Sequence, residues 1–153
     1  MDWFVRAFIK ASLLWFSSAI LLGVAMALVP SLTVYRTAHL HLAFLGFVTQ
    51  MIYGVALHVV PRFFGQPLVH QRMAEFQFWF AQSGLALLAS GFALRVHALA
   101  VAPALLAAGG LLTAAGAGCF VVNLWRTIDA SPMAAVRARG GRPLPTLPQE
   151  DAH

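Results

Sequence analysis

The sequence predicts an all-α integral membrane protein, a bundle of four transmembrane helices. Three observations predict it. Of 153 residues, 60% are apolar and only 10% are charged, where a soluble domain carries about a quarter charged. Mean hydropathy is +0.78. The apolar residues gather in four runs, each near the roughly 20 residues that a spanning helix needs. A single cysteine, Cys119, excludes a disulfide framework and a cysteine-based zinc site within one chain. Ten Lys and Arg stand against five Asp and Glu. In so apolar a chain that excess reads as topology, and no aromatic–basic stripe points to nucleic acid.

The first run, at about 11–29, follows Arg6 and Lys10. It is longer than the core of a signal peptide, and no Ala-x-Ala site leads into a soluble domain, so it reads as an uncleaved span. The second, at about 38–60, follows Pro30 and ends at the stretch from Pro61 to Pro67. The third covers about 74–95. Arg95 and His97 separate it from the fourth, at about 99–125. Pro103 falls in the first turn of the fourth, where a missing N–H does little harm. No span holds a charged residue in its middle. Only helices and closed barrels satisfy their backbone in lipid, and runs this long without strict alternation are helices. Short connections make consecutive helices neighbours. From about 129 the chain is rich in Ala, Arg, Pro and Gly. Thus 1–128 reads as the membrane domain and 129–153 as a disordered cytoplasmic tail.

With the N-terminus inside, Arg6, Lys10, Arg62, Arg72, Arg126, Arg137, Arg139 and Arg142 lie inside, and only Arg36 and Arg95 outside. The positive-inside rule then places both termini in the cytoplasm of a bacterial inner membrane.

Five of the six histidines flank the spans; the sixth, His153, is the last residue. His39, His41 and His97 fall near the outer surface, His58 and His70 near the inner one. Ionisable groups at membrane depth are functional candidates, although a histidine at a helix end also suits the half-solvated interface. On a regular helix His39 and His41 point about 200° apart. Below His39 run Ala43, Gly46, Gln50, Tyr53, Gly54 and Leu57. Below His41 run Leu45, Val48, Ile52, Val55 and Val59. Small and polar residues face helix interfaces or cofactors, and bulky aliphatics face lipid. His39 is therefore expected inward and His41 outward. The residues running back from His97, Ala93, Ser90, Ala86, Ser83, Gln82 and Trp79, place His97 inward by the same test. Two inward histidines at one depth suit the two axial positions of a haem iron. Arg36 and Arg95 are at that depth and suit its propionates. Plain helix packing would also explain both small stripes. His41, His58 and His70 remain alternative ligands, and interface positions suit His58 and His70 better. No P-loop, metalloprotease, nucleophile-elbow or dinucleotide motif is present. The paired glycines of the fourth span, Gly109-Gly110 and Gly116-x-Gly118, suit close packing. Gly84 with Gly91 suits a contact between copies.

The stretch from Ala38 to Phe80 resembles subunit I of haem–copper oxidases and the large subunit of nitric-oxide reductase. The resemblance rests on Ala38-His39, Val60-Pro61, Gly65, Pro67, Arg72 and Phe78-Trp79. It covers about 45 residues. In that family the histidine corresponding to His39 is an axial ligand of the low-spin haem, and spacing to Pro61 favours His39 over His41. The chain is too short for the family's twelve or so spans, and it holds no histidine cluster like the copper set. The resemblance thus implies a b-type haem without a complete oxidase. His97 is then the substitute for the family's second ligand.

The expectation is a membrane-embedded haem b protein, in electron transfer or in binding a diatomic gas such as NO or O2. It would be a homo-oligomer, dimer or trimer, and would have a redox partner or a respiratory complex to serve. The rival is a haem-free accessory or scaffold subunit of such a complex. A small transporter is a third reading, without the broken helix or buried charge pair that transporters show.

Overall fold

A computed structural model describes residues 2–130, all of whose regular structure is helical. Helix α1 is Trp3–Leu28, and a 3-10 stretch follows at Pro30–Tyr35. Helix α2 is Arg36–His41, a π-helical stretch covers Leu42–Thr49, and α3 is Gln50–Phe63. Helix α4 is Gln71–Val96 and α5 is Ala102–Asp129. From Pro30 to Phe63 the chain is one rod of 34 residues, so four long helices stand where four runs were predicted. Three of them, α1, the rod and α5, are long and apolar enough to cross a membrane. Helix α4 is as long as α1, with 26 residues, but Gln77, Gln82, Ser83 and Ser90 make it more polar. The predicted tail lies outside the described residues apart from Asp129, which closes α5, and Ala130.

Helix α1 begins eight residues before its apolar run. The reason is packing: Phe4, Val5 and Phe8 are at most 2% exposed and sit in one cluster with Tyr53, Leu57, Leu68, Ala74 and Ala81. The Phe8 ring meets Tyr53 at 5.7 Å and Phe78 at 5.1 Å, both edge to face. These side chains gather at the end of the bundle that holds the connection from Phe64 to His70. That end is called the clamp end below, and the end holding His39, His41 and His97 the histidine end.

Helices α4 and α5 form a close antiparallel pair. A Cβ on Gly84 would meet Thr113 Oγ1 at 2.6 Å and the Thr113 backbone nitrogen at 2.7 Å; one on Gly109 would meet the Leu88 nitrogen at 2.7 Å. Gly91 lies against Leu106, and Gly116 against Ala81. Small residues let the two backbones approach. The glycines Gly84 and Gly91 are therefore consumed inside the chain, which corrects their assignment to a contact between copies. Gly110 and Gly118 meet nothing among the described residues, so close packing there explains only one glycine of each predicted pair.

Helix α1 runs antiparallel to the rod: Gly46 meets Trp15, and Gly54 meets Phe8 and Ile9. The rod leans across the bundle. Its α2 portion approaches α4, while α3 lies against α1 and α5. The rod thus neighbours α4, as the short connection predicts, chiefly through its α2 portion, and turns α3 toward α1 and α5.

Two connections close on the same device. After α3, Gln66 N–H donates to Pro61 O and Gly65 N–H to Arg62 O; after α4, Leu99 N–H donates to Leu94 O and Ala98 N–H to Arg95 O. Both are Schellman motifs, which need a left-handed residue at the turn. Gly65 takes it at φ 70°, but Ala98 takes it at φ 53°.

Candidate functional site

The histidine end is built on the short helix α2. His39 is half-buried, and its Nδ1 lies 3.0 Å from the carbonyl oxygen of Ala19 on α1. A carbonyl only accepts, so Nδ1 carries the proton and Nε2 keeps a free lone pair. The ring reaches that carbonyl because residue 23 is glycine: a Cβ there would sit 3.1 Å from the His39 Cε1. Gly23 and Ala19 were not singled out in the sequence. The one available signal was a glycine inside an apolar run.

His41 donates from Nδ1 to Thr37 O at 2.8 Å, and its ring lies 4.5 Å from that of Phe92 on α4. It is half-buried between helices, which corrects the expectation that it faces lipid. The two rings do point to opposite sides of α2, but a helix packs on each side, α1 at Ala19 for His39 and α4 at Phe92 for His41; the π stretch at Leu42–Thr49 begins only after them. Beyond that stretch the wheel reading holds. Gln50, Tyr53, Gly54 and Leu57 are buried, and Ile52, Val55 and Val59 are exposed.

His97 is exposed at the end of α4, with Nε2 2.8 Å from the hydroxyl of Tyr35. The face running back from it is exposed at Ser90, Ala86, Ser83 and Trp79. The buried face of α4 is Ala74, Gln77, Ala81, Gly84, Leu85, Leu88 and Gly91. The inward assignment of His97 is thereby corrected. Helix α4 has two small-residue faces, and the glycine-bearing one makes the closer contact. Arg36 is exposed. Arg95, also exposed, borders a cavity of about 500 Å³ with Leu99, Pro103 and Leu106 at the start of α5.

His58 and His70 lie at the clamp end, each beside an arginine. Arg62 Nη1 lies 2.6 Å from His58 Nε2 and donates to the His58 carbonyl at 3.1 Å. Arg126 Nη1 lies 3.3 Å from His70 Nε2. Among the described residues no three His, Cys, Asp or Glu side chains are grouped to hold a metal ion.

Two polar arrangements escaped the sequence reading. Near the middle, Trp15 Nε1 donates to Gln82 Oε1 at 2.9 Å, and Gln82 Nε2 donates to Gln50 Oε1 at 2.6 Å. At the clamp end, Asn123 makes both amide bonds to the backbone of His70: His70 N–H donates to Oδ1 at 3.2 Å, and Nδ2 donates to the His70 carbonyl at 2.9 Å. Thr127 Oγ1 accepts from Val69 N–H at 3.2 Å, and Gln66 Nε2 donates to the Thr127 carbonyl. A lone Asn in a long apolar run was the available signal.

A haem iron requires an imidazole nitrogen with a free lone pair, steadied by a bond from the other ring nitrogen. His39 fits: Ala19 holds Nδ1, and Nε2 is left as donor. His97 does not fit as the opposite ligand within the same chain, since its Nε2 pairs with Tyr35 and its helix face looks outward. The stripe beneath His39 is also filled by its own chain. A Cβ on Gly46 would meet Trp15 Cβ at 2.6 Å and Leu85 at 3.0 Å. No known family model and no curated protein matches the chain.

Proposed function

We propose that the chain is a multi-pass protein of a bacterial inner membrane, with both termini cytoplasmic, that binds a b-type haem through His39. Its role on this reading is electron transfer or the binding of NO or O2. The observation that carries it is the bond from His39 Nδ1 to the Ala19 carbonyl, which leaves Nε2 free as a ligand. Bound haem supplies one-electron transfer or a gas-binding iron. The chain's own residues fix the tautomer of His39, hold its ring against α1 at Gly23 and seal the interior below it with Trp15 and Leu85. His97 then acts as a ligand only across a contact between copies. The exposed face of Ser83, Ala86 and Ser90 leading to it suits such a homo-oligomer.

The test is the absorption spectrum of detergent-purified protein, produced with haem supplementation. Sharp reduced α and β bands are expected if a second copy completes the iron, and a five-coordinate, CO-binding spectrum if it does not. Absence of haem overturns the reading. It would leave a haem-free accessory subunit of a respiratory complex, which the filled interior beneath His39 favours.

A further inference from the structure

At the clamp end a groove of about 900 Å³ opens between the start of α4 and the far half of α5. This is at the upper end of ligand-pocket volumes, about 300–1,000 Å³. Its wall is mostly apolar: Met73, Phe76, Phe80 and Cys119 line it, and the rings of Phe76 and Phe80 stack at 6.4 Å. Phe76 is 60% exposed. His70 and Arg72 also line the groove, and Arg126 joins them through its contact with His70. That contact is to an imidazole and not to a carboxylate, so the guanidinium charge is not cancelled there.

We propose that this groove binds an anionic glycerophospholipid, with an acyl chain along Phe76, Phe80 and Cys119 and the phosphate at Arg72 and Arg126. Charge complementarity selects the occupant. A free anion would leave the aromatic wall uncovered, and an apolar helix would leave both arginines without a counter-charge. An anionic amphiphile satisfies both halves, as in basic pockets between helices at the cytoplasmic face. The inference rests on the membrane reading of the chain and not on haem. The clamp of Asn123 and Thr127 fixes the connection that forms one side of the mouth.

Full-length protein, delipidated in detergent, is titrated with phosphatidylglycerol, phosphatidylcholine or inorganic phosphate. Native mass spectrometry counts bound lipid, and thermal melting reports protection. Phosphatidylglycerol is expected to bind in preference to phosphatidylcholine, while phosphate alone gives no protection. Arg72→Gln and Arg126→Gln should each weaken phosphatidylglycerol about fivefold. Phe76→Ser, at an exposed site that leaves the fold intact, should weaken it without restoring phosphatidylcholine to parity. Equal binding of the two lipids, protection by phosphate alone, or a dimer that forms across the groove in place of lipid would overturn the proposal. Retention of neither lipid would overturn the lipid site and leave the membrane reading, which rests on the long apolar helices, untouched.

Discussion

The two ends of the bundle close the same kind of helix connection in opposite ways. At the clamp end Gly65 takes the left-handed turn, and the next residues are bonded to α5 through Asn123 and Thr127, both 0% exposed. At the histidine end Ala98 takes that turn, every residue from Arg95 to Val101 is exposed, and none of Pro30–Tyr35 is buried. Stability is therefore concentrated where the apolar cluster and the amide clamp coincide. The end with free imidazole lone pairs is held more loosely. Elements that bind and exchange ligands are commonly drawn from the less stable part of a fold.

The largest effect is expected at the clamp. Asn123→Leu strands the N–H of His70, at about 1–3 kcal/mol for a buried group left unpaired, and leaves its carbonyl only the bond from Ala74 N–H at 3.4 Å. Its unfolding midpoint in SDS should fall well below that of any substitution at the histidine end. A loss no greater than that of Tyr35→Phe would erase the contrast between the ends.

Gln77 sharpens the comparison from within the packed half. It is 0% exposed, and neither amide atom has a partner among the described residues. Burying such a group costs about 1–3 kcal/mol by mutational measures, so Gln77→Leu should raise the midpoint. A fall would show that internal water completes the amide.

At the histidine end, Ala98→Gly should stabilise by about 1 kcal/mol, because a left-handed Cβ costs roughly 1–2 kcal/mol and glycine avoids it. The same denaturation series reads this gain. The smallest effect is that of Tyr35→Phe, which removes one exposed bond to His97 and should cost about 0.5 kcal/mol.

The sequence showed the number of long helices because apolar runs of this length are a one-dimensional signal, but not where α1 begins, which the packing of Phe4, Val5 and Phe8 decides. It showed which side of α3 is buried because Gly54, Tyr53 and Leu57 recur at helical spacing beyond the π stretch. It did not show what covers His41, since nothing in the sequence says that α4 brings Phe92 to the face opposite His39. Nor did it show which of the two small faces of α4 meets a partner within the chain. That choice depends on Gly109 and Gly116 arriving opposite Gly84 and Ala81, a fact of tertiary register. The bond from His39 to Ala19 is of the same kind: it needs Gly23 at the crossing point, 16 residues away in sequence.

The most direct measurement is haem content and spin state of purified His39→Ala beside His41→Ala, His58→Ala, His70→Ala, His97→Ala and the unsubstituted protein. Loss of haem on His39→Ala is expected, with retention on His41→Ala. With His97→Ala haem should be retained, either unchanged or converted to a high-spin, CO-binding form if a second copy supplies that ligand. Full haem content in His39→Ala, or loss of haem only on His58→Ala or His70→Ala, would contradict the placement of the site at the histidine end.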